Sequence, residues 1–210
     1  NVPSNVLSYY KRLHRWIRGD VQNLSLVFKY KQGIKGSLRI IQNVFRHLLP
    51  VISLITLGLA GVLNGAGRLW VCLLALINIL SPIFFTIISR PAALRFRRRR
   101  FFSSVQSSVF QSVSISLYES FALCHKALIS LDAVFKAIYR LISGKKLLMW
   151  VTAAQAEKGA DKTFVAFIYK LFPSALLGSL FFFFTNIWPT RLLGFLWFLF
   201  PLYAFYLSHK

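Results

Sequence analysis

Residues 48–89 read LLPVISLITLGLAGVLNGAGRLWVCLLALINILSPIFFTIIS, and Arg68 is the one charge in that length. At 1.5 Å per residue, Leu48 to Gly67 and Leu69 to Ser89 each reach about 30 Å, the hydrocarbon thickness of a bilayer. The pattern predicts two spanning helices. Asn64-Gly65-Ala66-Gly67-Arg68 joins them, a turn short enough to force an antiparallel hairpin.

Further along, Leu171–Thr190 and Leu192–Leu207 repeat the pattern, divided by Arg191. Phe181–Phe184 and Trp188 carry the aromatic weight of an interfacial belt, Pro173 and Pro201 are expected to kink their helices, and Lys170 can snorkel to the surface. The expected fold is mainly α, a multi-pass bundle of about four spans. Composition agrees: 56% of the 210 residues are hydrophobic, well above soluble proteins.

The net charge of +21, from 26 Lys and Arg against Asp20, Glu119, Asp132, Glu157 and Asp161, invites a nucleic-acid reading. Position argues otherwise, because most cations flank apolar runs. Arg90, Arg95 and Arg97 to Arg100 follow the second run and mark its cytoplasmic end, which places the Asn64–Arg68 turn outside and the N-terminal segment inside. That cluster also suits anionic lipid headgroups. Cys72 and Cys124 have no metal spacing and are read as inert core residues, Cys72 near the outer end of its span and Cys124 on a cytoplasmic helix.

Between Phe102 and Ser143, apolar residues from Val105 to Ile142 recur every three or four positions among Ser, Gln, Lys and Arg. This predicts an amphipathic helix, or a broken pair of helices, lying at the cytoplasmic interface. The alternative is a further span inside the bundle, disfavoured by Lys126, Asp132, Lys136 and Arg140.

Near the N-terminus stands Lys11-Arg12-Leu13-His14-Arg15-Trp16-Ile17-Arg18-Gly19-Asp20. With Ser4 or Asn5 as the cap, Arg12, Arg15 and Trp16 share a helix face. Guanidinium groups take phosphate oxygens bidentately and an indole offers a stacking plane, so this constellation suits a sugar nucleotide. A basic helix with one Trp beside a membrane is also a common interfacial anchor, and both readings stand.

Arg12-x-x-Arg15-Trp16 resembles the Gln/Arg-x-x-Arg-Trp motif of processive inverting glycosyltransferases, the group of cellulose and hyaluronan synthases. The string His14 to Gln22 is similar to the His-Arg-Trp-x-Arg-Gly-Asp-Trp-Gln of cyclic β-1,2-glucan synthases, with Val21 where that family has Trp. A second run, Ser130-Leu131-Asp132-Ala133-Val134, Tyr139-Arg140-Leu141 and Leu147 to Glu157 around Trp150, resembles the same synthases, with Met149 in place of a Glu.

The resemblance implies that a catalytic domain with metal and base carboxylates lies upstream of Asn1, and that this chain is a piece of a longer polypeptide with glucan-processing domains downstream. It implies UDP-glucose and a growing glucan as substrates, a divalent metal (Mg or Mn) in the upstream domain and none bound by this chain, and the bacterial inner membrane as the location. Arg12, Arg15 and Trp16 are the implied catalytic residues, and Arg18 and Asp20 join them in substrate binding. His14 is taken as a packing or hydrogen-bonding residue. Residues 1–45 then form the end of the transferase domain with its interface helix, 46–90 a transmembrane hairpin, 91–162 a basic loop with interfacial helices, and 163–210 a second hairpin. A non-enzymatic transporter or channel subunit is the competing class, and the near absence of ionisable groups in the four clean runs weighs against it. A synthase making another β-glycan is the other alternative.

Overall fold

The computed structural model describes residues 5–29, 33–62, 65–88, 98–144 and 162–209. The chain folds as α1 (Val6–Lys29), α2 (Ile34–Val62), α3 (Ala66–Ile88), α4 (Arg98–Ser143), α5 (Phe164–Phe184) and α6 (Trp188–Ser208). Three of these, α2, α5 and α6, are long and apolar enough to cross a membrane, and α3 contains a shorter apolar stretch at Gly67–Ile77. The mainly α membrane bundle expected from the apolar runs is present. The Arg95–Arg97 part of the basic cluster and the second family-like run at Leu147–Glu157 lie outside the described residues.

The two hairpins close for different local reasons. Between α2 and α3, Gly65 has φ +79°, a left-handed conformation that a side chain would strain. Between α5 and α6, polar side chains add to the backbone bonds of the turn, where the Thr185 N–H also donates to the Phe181 carbonyl. Thr185 Oγ1 donates to the Phe181 carbonyl, Thr190 Oγ1 lies 2.8 Å from Thr185 Oγ1, and Arg191 Nε donates to the Thr185 carbonyl at 2.6 Å. Arg191, which in the sequence merely divides two apolar runs, thereby closes the turn. Phe183, Phe184 and Trp188 are exposed at this end.

Helix α4 departs from a one-sided interfacial strip. Its 46 residues extend about 69 Å, more than twice the hydrocarbon thickness. It packs against all five other helices. Ala122 to Ala127 are buried without interruption, and Leu123 and Cys124 share a cluster with Leu57, Ala75, Ile79, Leu193 and Trp197. Cys124 therefore lies in the bundle interior. The Trp197 indole donates to the Ser120 carbonyl at 2.9 Å. Small residues explain this burial: Ser112, Ser116, Ala122, Cys124, Ala127 and Ser130 let neighbouring helices approach the α4 backbone closely. Ser112 and Ser120 return their hydroxyls to carbonyls one turn back, so they enter the interior satisfied.

Candidate functional site at the junction of α1, α2 and α4

Helix α1 begins at Asn5, whose Oδ1 accepts from the Leu7 backbone N–H at 2.8 Å. This is one of the two caps expected from the sequence. Leu7, Tyr10, Ile17 and Val21 form the buried face. Polar ties then fix the helix along its length. The Val6 N–H donates to Ser208 Oγ at the end of α6, and the Tyr10 and Tyr118 hydroxyls are 2.9 Å apart. His14 Nε2 donates to Asp132 of α4, and Asp20 accepts from His47 Nε2 of α2, each at 2.9 Å.

A cavity of about 400 Å³ opens where these helices meet. Tyr9, Leu13 and Trp16 come from α1, Arg46, His47 and Pro50 from α2, and Glu119, Lys126 and Ser130 from α4. A second cavity of about 180 Å³ shares Arg46, Pro50 and Glu119 and continues past Ser53, Ser81 and Leu123 between α2, α3 and α4. Pro50 lies inside α2 and lacks the N–H that would bond the Arg46 carbonyl. An extra acceptor is thus freed within the residues that line both cavities.

The charges here are arranged in pairs. Lys126 Nζ contacts both oxygens of Glu119 at 2.5 Å and lies 5.3 Å from the Tyr118 ring centroid. Only 11% of the Lys126 side chain is exposed, so Glu119 is what makes its burial tolerable. Trp16 is 53% exposed, and the Arg12 guanidinium sits 4.9 Å above its ring. One indole face is occupied by a cation while the side chain still contributes to the cavity wall.

The predicted site residues separate into two groups. Trp16, with Arg12 above it, belongs to the cavity, and Asp20 supports that wall through His47. Arg15 and Arg18 belong to the other flank, where Arg18 feels the charges of Arg15 and of Arg140 from α4. His14 forms the hydrogen bond assigned to it by type. Burial lowers its pKa from the usual 6.5, Arg18 acts in the same sense, and the Asp132 hydrogen bond opposes both. For Asp132, burial is outweighed by the hydrogen bonds from Lys136 and His14, and its carboxyl is held below the ordinary range. Among the described residues, no three His, Cys, Asp or Glu side chains stand together as a metal site.

Sequence reasoning did not find Arg46, His47, Glu119 or Lys126. The available signal was the seven-residue spacing of Glu119 and Lys126, which puts opposite charges on one face of α4 two turns apart.

Over 152 residues, the chain is 26% identical to the cyclic beta-(1,2)-glucan synthase NdvB of Rhizobium meliloti (strain 1021). The chain is a distant relative of a glucan synthase. The matched region is 70% of this chain and 5% of NdvB, so the chain spans a small part of the relative it matches. No protein-family model matches the chain, and no solved structure does.

Proposed function

We propose that this chain is the membrane part of a processive inverting glycosyltransferase that extends a β-1,2-glucan from UDP-glucose. The carrying observation is that Trp16, the aromatic member of the family-like motif, lines a 400 Å³ cavity beside Arg46, Glu119 and Lys126. An aromatic plane with charged hydrogen-bonding groups suits a sugar, which has apolar ring faces and a rim of hydroxyls. The distant relationship to a glucan synthase supports the same reading.

In this reading a sugar of the growing glucan stacks on the indole face opposite Arg12. Arg12, over the indole, and Arg15, three residues on along α1 and on its other flank, receive the leaving diphosphate as the glycosidic bond to UDP breaks. Preorganised cations at a developing anion are worth roughly 3–4 kcal/mol each, by analogy with oxyanion-hole deletions. The base and a divalent metal, Mg or Mn, belong to a domain upstream of Asn1 in the same polypeptide. Arg18 and Asp20 act beside the motif, Asp20 through its bond to His47.

The test is glucan synthesis in membranes by the full polypeptide, normalised to inserted protein. Arg15→Lys keeps the charge but loses the bidentate fork, so turnover is expected to fall ten- to a thousandfold, on the order of a lost oxyanion donor. Trp16→Phe is expected to weaken use of the glucan acceptor more than binding of UDP-glucose. Near wild-type synthesis by the Arg15→Lys protein would reduce the motif to a membrane anchor.

A further inference from the structure

His47 and Asp20 meet at the wall of the larger cavity. The His47 ring lines that cavity from α2, and its Nε2 donates to Asp20 Oδ2 at 2.9 Å. Asp20 stands four residues beyond Trp16 on α1, so the carboxylate shares a helix face with the indole that also lines the cavity. An aromatic plane and an oriented imidazole thus reach one opening from two helices.

The bond to Asp20 decides what the other ring nitrogen can do. An ionised carboxylate only accepts, so Nε2 holds the proton and the neutral ring carries its free lone pair on Nδ1. Nδ1 makes no hydrogen bond among the described residues. A lone pair of this kind takes a proton donor, which a hydroxyl supplies and an ionised carboxylate does not. From α4, Glu119 and Lys126 bring a carboxylate acceptor and an ammonium donor to the same cavity. A hydroxyl is both donor and acceptor, so a ring that carries several can engage both walls.

We infer that His47, held in one tautomer by Asp20, accepts a hydrogen bond from one hydroxyl of the sugar stacked on Trp16, and so selects which sugars the cavity takes. This rests on the reading of the cavity as a sugar site. His47 is then a ligand-contacting residue contributed by α2, outside the family-like motif. The consequence is selectivity. A sugar lacking that hydroxyl leaves Nδ1 without a partner on a side chain that is only 10% exposed, and a site built around a hydrogen bond rejects such an analogue.

The purified chain, in a neutral detergent without a sugar headgroup, is titrated with methyl β-glucoside and with each of its monodeoxy analogues, and binding is followed by saturation-transfer NMR. One analogue is expected to bind wild type about three- to tenfold more weakly than the parent, the scale of one lost hydrogen bond. In His47→Gln the longer amide still reaches Asp20 from the Nε2 position but offers no acceptor at Nδ1. The unfolding midpoint should therefore hold, parent binding should weaken by the same factor, and the preference among analogues should vanish. His47→Asn, whose amide oxygen reaches the Nδ1 position but not Asp20, should retain part of the preference at a cost in stability. Equal binding of all analogues by wild type, a preference that survives in His47→Gln, or one lost equally in the Gln and Asn variants would overturn the inference. If Trp16→Phe weakens glucoside binding and His47→Gln does not, the inference fails while the sugar reading stands. If wild type binds no glucoside, the sugar reading falls and the inference with it.

Discussion

Asp20 of α1 and His47 of α2 are joined by a 2.9 Å hydrogen bond one helical turn beyond Trp16. His47 is itself a wall of the cavity, so this bond sets where the motif helix stands relative to it. Asp20→Ala leaves a His donor that is only 10% exposed without its acceptor, at a cost of about 1–2 kcal/mol. Asp20→Asn keeps an acceptor oxygen and should cost less than half of that. Thermal unfolding gives the stability, and hydrogen exchange across residues 13–24 should quicken in the Ala variant alone.

Acid should weaken the α1–α4 seam. His14 binds its proton less readily in the folded chain than its usual 6.5, so as pH falls below 6.5 the unfolded chain takes up protons first. Stability present above that pH is lost progressively as pH falls through the folded value. Asp132, also lowered, adds a second loss with the same sign at more acidic pH. Midpoints measured across this range should fall on acidification, and His14→Gln should flatten the first part of the curve. An unchanged curve in that variant would remove His14 from the linkage.

The Glu119–Lys126 pair should show the asymmetry of buried ions. Glu119→Ala strands a Lys that is mostly buried, and because Glu119 itself is 34% exposed the loss is expected at about 2 kcal/mol, below the usual range for a deep pair. Glu119→Leu combined with Lys126→Met removes both charges and should recover most of it. A double-mutant cycle on unfolding midpoints measures the coupling, and additive losses would deny it.

Gly178 and Gly194 hold α5 and α6 in reciprocal backbone contact. A Cβ on Gly178 would come within 2.6 Å of the Gly194 carbonyl oxygen and the Phe198 nitrogen, and one on Gly194 within 2.7 Å of the Gly178 oxygen. Backbone cannot yield as a side-chain tip does, so Gly178→Ala should cost about 1–3 kcal/mol and separate the hairpin. Gly67→Ala meets open space in α3 and should be neutral or stabilising by up to about 1 kcal/mol. Thermal unfolding of the two variants side by side distinguishes a packing contact from a general intolerance of change.

What could be read from the sequence was local. Charge-free runs mark α2, α5 and α6 because lipid and bundle interior both select against charge over a helix length. Asn5 announced a cap, Gly65 a turn, and the Arg12–Trp16 spacing a shared face, each through interactions within four residues. The bundle alone decided the rest. Helix α4 carries Lys126, Asp132 and Arg140, and by composition it belongs outside, yet its small residues admit five neighbouring helices and Glu119 neutralises the buried Lys126. The cavity joins Trp16, Arg46 and Lys126 across separations of up to 110 positions in the chain. No periodicity encodes such pairings. They exist because Ile17, Ala133 and Ala137 pack together and carry their charged neighbours with them.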